Sequence, residues 1–151
     1  MPAVFIKKIA IEQDSIDVHQ HVNNQEYLRW MQEIAIEHST AQGWPMERYL
    51  DGGASWYVKS HFIDYQYPAL LGDTLIACTW VADMTARRSK RCTLFLRQRD
   101  RQPIARAETQ WIFVSLSNGR PLVIPDDLRT AFTLVESDAS AQSHIDRALV
   151  G

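Results

Sequence analysis

Residues 17–24 read DVHQHVNN. Asp17, His19 and His21 stand two apart, and Asn23 and Asn24 follow at once. In extended backbone, alternate side chains leave on the same side, so the carboxylate and both imidazoles would share one face. Three kinds of chemistry suit such a set. A polar turn leading into a helix cap ranks first, because Asp and Asn side chains bond readily to nearby backbone N–H groups. A carboxylate working on a bound substrate ranks second. A metal site built from Asp17, His19 and His21 ranks third: zinc asks for three or four ligands in a tetrahedral set, and His38, His61 and His144 add no second ligand motif.

The two asparagines matter because a helix follows them. YLRWMQEIAIEH places Tyr27, Leu28, Trp30, Met31, Ile34, Ala35 and His38 over a broad apolar surface, with Glu26, Arg29, Glu33, Glu37 and Thr40 as the polar stripe. The pattern predicts a helix over 24–42, with Asn23 or Asn24 as its N-cap and Gly43 ending it. A helix start exposes unpaired N–H groups and the positive end of the dipole. That end can hold a carbonyl oxygen as it gains negative charge. An acid just upstream would then stand beside a polarised carbonyl. A second chemical candidate is TARRSKR, with Arg87, Arg88, Lys90 and Arg91. As a hairpin tip it is either a solvated charge run or a patch for the phosphates of a nucleotide-bearing ligand.

The remaining elements must position these groups. VFIKKIAIEQ (4–13), WYVKSHFIDYQY (56–67), DTLIACTWVADM (73–84), RCTLFLRQRD (91–100) and ARAETQWIFVSL (105–116) read as strands. The second of the five stops at Pro68, and the third is apolar almost throughout and so belongs in the middle of a sheet. Cys92, Leu94 and Leu96 share one face of their strand, with Arg91, Thr93, Arg97 and Arg99 mostly on the other. Ala105, Ala107, Thr109, Trp111 and Phe113 share a face of theirs. MTARRSK and RDRQP are short connections and suggest antiparallel hairpins. WPMERYLDGGAS reads as a loop, and Asp126 or Asp127 is placed to cap a last short helix. One long apolar helix against one antiparallel sheet is an α+β plan. The tryptophans read as core.

Composition narrows the class of protein. The chain has 151 residues, 46% apolar content and a formal charge of −2. That fits one folded domain, expected over 1–135 with a small polar tail at 136–151 that is either loosely held or a short helix. Net acidity argues against nucleic acid and against a membrane surface as partners. Cys78 and Cys92 lack CxxC spacing, which fits buried thiols in a reduced, cytoplasmic setting. The N-terminus reaches Lys7 and Lys8 too soon for a signal-peptide core, and no apolar run approaches a membrane span.

D-x-x-x-H-V-N-N-x-x-Y-L at Asp17–Leu28, I-D-Y-x-x-P-A at Ile63–Ala69 and L-G-D-T-L at Leu71–Leu75, in this order, resemble the hotdog-fold acyl-CoA thioesterases of the 4-hydroxybenzoyl-CoA thioesterase type. The resemblance spans about residues 4–133. It implies a long central helix wrapped by a five-stranded antiparallel sheet, and homodimers or homotetramers with active sites at the dimer interface. It implies an acyl-CoA substrate, or an acyl carrier protein thioester, hydrolysed without a cofactor or metal. Asp17 matches the family's catalytic carboxylate, acting as nucleophile or general base. Asn24 matches the helix-start N–H that polarises the carbonyl, and His21 matches a histidine of the related plant acyl-carrier-protein thioesterases. Asn23, Tyr27, Arg87, Arg88, Ser89 and Lys90 fall to substrate binding. Gln20 stands where glycine is common, and Ser15 where the family often has an acid. Three other readings compete: a metal-dependent hydrolase using Asp17, His19 and His21; a hydratase or dehydratase using His21 or His61; and an acyl-CoA-binding protein without turnover.

Overall fold

Alternating and β-branched runs become five strands, and the one apolar helix of any length lies across them. The computed structural model describes residues 2–150. The strands are β1 (Val4–Ala10), β2 (Ala54–Tyr65), β3 (Thr74–Met84), β4 (Arg88–Arg97) and β5 (Pro103–Ser115). They form one sheet in the order β1-β3-β4-β5-β2, antiparallel at every step. The apolar run of β3 belongs inside the sheet because both of its faces are covered. β2, with its exposed polar residues and its aromatics, lies at an edge.

Helix α1 (Asn24–Ala41) packs on one face of the sheet. Tyr27, Trp30, Met31 and Ile34 meet Leu75, Ala77, Phe95, Ala105 and Ala107. Three alanines on the strands let the helix approach closely. Each large side chain buried there contributes about 1.5–3 kcal/mol. The helix ends as its sequence requires. Gly43 takes φ 91°, its N–H donates to Thr40 O, and Trp44 N–H donates to Ser39 O. This is a Schellman ending, which needs a left-handed residue after the cap.

The hotdog plan implied by the resemblance is the plan observed, with additions. The segment that reads as a loop after Trp44 holds helix α2 (Met46–Gly52), started at Pro45 and anchored by buried Tyr49. Seven residues carry too little periodicity to announce a helix. A short helix α3 (Asp126–Thr130) follows β5. The polar tail forms helix α4 (Asp138–Leu149), capped by Ser137. Ala141 and Ile145, one turn apart, bury against Ile76, Cys78, Trp80 and Leu96 on the face opposite α1. Arg106 clamps its start, with Nε and Nη2 donating to the two Asp138 oxygens at 2.7 and 2.9 Å. Both cysteines are free and buried, and burial raises the thiol pKa of Cys78 to about 12 and of Cys92 to about 11.

Candidate active site

The DVHQHVNN stretch is a closed turn. Ile16 and Val22 form an isolated bridge, and Asp17 N–H donates to His21 O at 2.8 Å. Asp17 Oδ1 accepts from the N–H groups of His19 at 2.9 Å and His21 at 3.3 Å. Oδ2 has no partner among the described residues. One carboxylate oxygen therefore fixes the loop and the other stays available. Gln20 sits at φ 65°, the left-handed region that favours glycine. The loop thus adopts a glycine-type conformation at the position where the resemblance expects glycine. Ser15, where an acid is common, is buried, and its carbonyl accepts from Asn23 N–H at 2.8 Å.

Asn23 is the N-cap of α1. Its side chain accepts from Gln25 N–H at 2.9 Å, and its carbonyl accepts from Glu26 N–H at 2.9 Å. Asn24 is the first helical residue, so its own N–H has no partner inside the helix. The capping assignment and a free N–H at Asn24 hold together. Tyr65, the last residue of β2, donates its hydroxyl to Asn24 O at 3.3 Å and sets its ring edge-on to Tyr27. His21, Asn24, Tyr27 and Tyr65 line one cleft of about 260 Å³. Tyr27 is mostly core: it also packs edge-on to Trp30 and Phe95, and burial drives its hydroxyl pKa upward.

The basic run is split by the strand. Thr85, Ala86 and Arg87 make the bend, with Thr85 N–H donating to Arg88 O, and β4 begins at Arg88. Arg87 and Arg88 are exposed and Lys90 is half-buried. Ser89 and Arg91 point the other way, into the protein, where Ser89 Oγ donates to Asp83 O at 3.0 Å. This hairpin lies at the Tyr57 end of the sheet, because Arg88 pairs with Ile112, which pairs with Tyr57. The Asp17 loop lies at the Tyr65 end. Eight residues of strand separate the two ends, roughly 26 Å at 3.3 Å per residue. One chain therefore does not bring Asp17 and Arg88 to the same small region.

A larger cavity of about 430 Å³ opens between α1, α2 and the Tyr57 end of β2. Ile36, Met46, Tyr57 and Val58 form its exposed rim, and Tyr49, Val81, Arg91 and Phe132 its buried inner wall. Trp44, Trp56 and Trp111 complete it. This volume is within the range of small-molecule sites. Nothing in the chain marks Arg91 as an inward residue; it stands out only as part of the basic run. A bulge between Val58 and Ser60 also escapes an alternation reading. It keeps Val58 and His61 on one face although they are three apart. His61 Nδ1 is 2.9 Å from Thr109 Oγ1, and partial burial lowers its pKa.

Among the described residues, no three His, Cys, Asp or Glu side chains converge to hold a metal. Asp17, His19 and His21 share a turn without forming such a group.

The model of the thioesterase-like superfamily matches residues 11–132. The chain belongs to the thioesterase-like superfamily. Hydrolysis of a thioester is the activity this membership assigns, and the matched segment runs from the end of β1 through α3. A search of curated proteins gives no match. Solved structures share the fold. A 1,4-dihydroxy-2-naphthoyl-CoA thioesterase from Synechocystis is similar at TM-score 0.78 and 19% identity, over 85% of this chain and 94% of that one. A probable thioesterase from Escherichia coli gives TM-score 0.73 at 22% identity, over 83% and 94%. A hypothetical protein from Staphylococcus aureus in complex with CoA gives TM-score 0.82 at 12% identity, over 93% of each.

Proposed function

We propose that the protein is an acyl-CoA thioesterase whose active sites form between two copies joined along β2. The observation that carries this reading is that Asp17 Oδ2, in the turn, and Asn24 N–H, at the start of the helix that follows it, both lack a hydrogen-bond partner among the described residues. Both lie beside the end of an edge strand. Two β2 strands meeting antiparallel would set the Tyr65 end of one copy against the Tyr57 end of the other. The basic hairpin and the 430 Å³ cavity of one copy would then adjoin the Asp17 loop of its partner. The Staphylococcus aureus structure in complex with CoA supports the choice of thiol.

The thioester carbonyl accepts a hydrogen bond from Asn24 N–H, which strengthens as the oxygen gains charge. Asp17 Oδ2 takes a proton from water as that water adds to the carbonyl carbon. The tetrahedral intermediate collapses, the C–S bond breaks, and the thiolate leaves with the proton that Asp17 returns. Direct attack by Asp17 uses the same oxygen and gives a mixed anhydride, which water then opens. His21, whose N–H holds Oδ1, orients the carboxylate. Arg87, Arg88 and Lys90 bind the coenzyme phosphates, and Asn23 and Tyr27 shape the loop.

The test is thiol release from short, medium, long and aromatic acyl-CoAs, with Asp17→Asn as control. Turnover that falls at least about 100-fold in a folded variant supports the reading. Wild-type turnover in Asp17→Asn would remove Asp17 from the mechanism. No release from the panel would direct attention to acyl carrier protein thioesters, then to binding without turnover.

A further inference from the structure

We propose that Arg91 reads the far end of the substrate, so that the 430 Å³ cavity takes acyl groups ending in a carboxylate. The inference rests on the proposed thioesterase function, with this cavity, which would adjoin the partner's Asp17 loop, taking the acyl group.

Arg91 is 7% exposed and sits on the inner wall. Its neighbours across the sheet are Val81 and Thr109. Nη1 donates to His38 Nδ1 at 2.9 Å and to Thr79 Oγ1 at 3.2 Å. Among the described residues, Nε and Nη2 find no acceptor, and no Asp or Glu lies within ion-pair distance. Burial lowers the Arg91 pKa to about 10, so the group is still charged at neutral pH. A buried cation is normally paired, because an uncompensated charge is costly to hold out of water. Here the protein supplies two neutral acceptors and leaves the rest of the guanidinium fork open.

A second unpartnered donor belongs to another residue of the lining. Trp111 lines the cavity, and its indole N–H is buried with no partner. Tyr49, by contrast, is satisfied by Ser39 Oγ at 2.7 Å and Trp56 Nε1 at 3.3 Å. The unmet demand is thus for an acceptor, and beside Arg91 for an anion. A carboxylate matches a guanidinium fork with two parallel hydrogen bonds. A methyl group in that place would bury the donors unpaired. Sites built to hydrogen-bond a substrate group reject analogues that lack it far more strongly than apolar pockets reject a change in size.

The experiment compares matched thioesters on the wild-type enzyme: glutaryl-CoA with pentanoyl-CoA, adipoyl-CoA with hexanoyl-CoA, and 4-carboxybenzoyl-CoA with 4-methylbenzoyl-CoA. In at least one pair the carboxylate member should have kcat/KM higher by about 100-fold or more. Arg91→Met should erase the preference, and Arg91→Lys should keep part of it. The comparison within wild type needs no variant to fold. Hydrolysis that is equal for both members, or better for the methyl-ended ones, would overturn the assignment while leaving the thioesterase reading intact. If no thioester in the set is cleaved, the acyl-CoA reading is at fault, and binding decides the role of Arg91. Glutarate, adipate and terephthalate would then be titrated against pentanamide, hexanamide and 4-methylbenzamide, which carry no carboxylate, using tryptophan fluorescence. Tighter binding of a diacid, lost in Arg91→Met, sustains the anion site; equal binding across each pair refutes it.

Discussion

Arg91 Nη1 donates to His38 Nδ1 across 2.9 Å, deep between α1 and β4. Guanidinium has no acceptor atom, so Nδ1 accepts and His38 is neutral with its proton on Nε2. The ring stacks on Phe5 and meets Phe132 edge-on. Burial first, and then the Arg91 charge, lower its pKa from 6.5 to about 3. The unfolded ring accepts a proton that the folded ring refuses. The His38 contribution to stability is therefore full above pH 6.5 and is lost as pH falls toward 3, by at most about 1.4 kcal/mol per pH unit. Thermal unfolding followed by circular dichroism should give a midpoint that drops between pH 7 and pH 5. His38→Asn should lower the midpoint at pH 7 but flatten that slope. Equal slopes in the two proteins would show that His38 does not govern it.

Gln20 holds φ 65° in the turn that carries Asp17 and His21. A residue with a Cβ is disfavoured there, whereas glycine is not. Gln20→Gly relieves that cost and adds some unfolded-state entropy, for a net gain of about 0.5–1 kcal/mol. Urea unfolding should show a raised midpoint with an unchanged slope. A lowered midpoint would mean that the Gln20 side chain stabilises the loop in some other way.

Much of this fold can be read from the chain because α1 and β3 are locally consistent. Asn23, the apolar spread from Tyr27 to His38, and Gly43 mark one helix from cap to cap, and the apolar run of β3 marks a strand covered on both faces. β4 is harder. Cys92 and Leu96 read as one face, with Arg91, Thr93 and Arg97 on the other. In the structure all five are buried, because α1 covers one face and α4 the other. For the tail at 136–151 the sequence offers a short helix beside a loosely held segment and does not separate the two, since α4 buries little beyond Ala141 and Ile145 in a polar sequence. At the site, the Asp17 turn and the Asn23 cap follow from local bonding rules. The cavity does not, because it depends on α2 and on a β-bulge, neither of which has a signal in hydrophobic periodicity.

Helix α4 is held by buried Ala141 and Ile145 and by one forked ion pair. Ile145 is 0% exposed against the outer face of the sheet. Ile145→Ala should cost about 2–4 kcal/mol through lost burial and the cavity left behind. Asp138→Asn should cost less than about 1 kcal/mol, since Asp138 is largely exposed and its pair with Arg106 is screened by solvent. Guanidinium unfolding of both variants measures the ratio. A larger loss for Asp138→Asn than for Ile145→Ala would mean that the ion pair, not the apolar contact, docks the helix.

Strand β2 is an edge strand of twelve residues that leaves Tyr57, Val58, Phe62 and Tyr65 exposed. Long apolar edges invite pairing with another chain. A two-fold antiparallel contact there would place each substituted residue near its own copy or near a fixed counterpart. Phe62 is 62% exposed, so glutamate at this position leaves the monomer's core untouched. In a β2–β2 dimer, Phe62→Glu would bury or juxtapose two like charges, which destabilises strand pairing. Phe62→Glu should therefore move the protein toward monomer in sedimentation velocity with an unchanged circular dichroism spectrum. Thiol release should fall with the dimer population if, as proposed, the Asp17 loop and the basic hairpin meet across the pair. A fully active Phe62→Glu monomer would place the whole site within one chain. A dimer that survives the substitution would place the interface elsewhere than on β2.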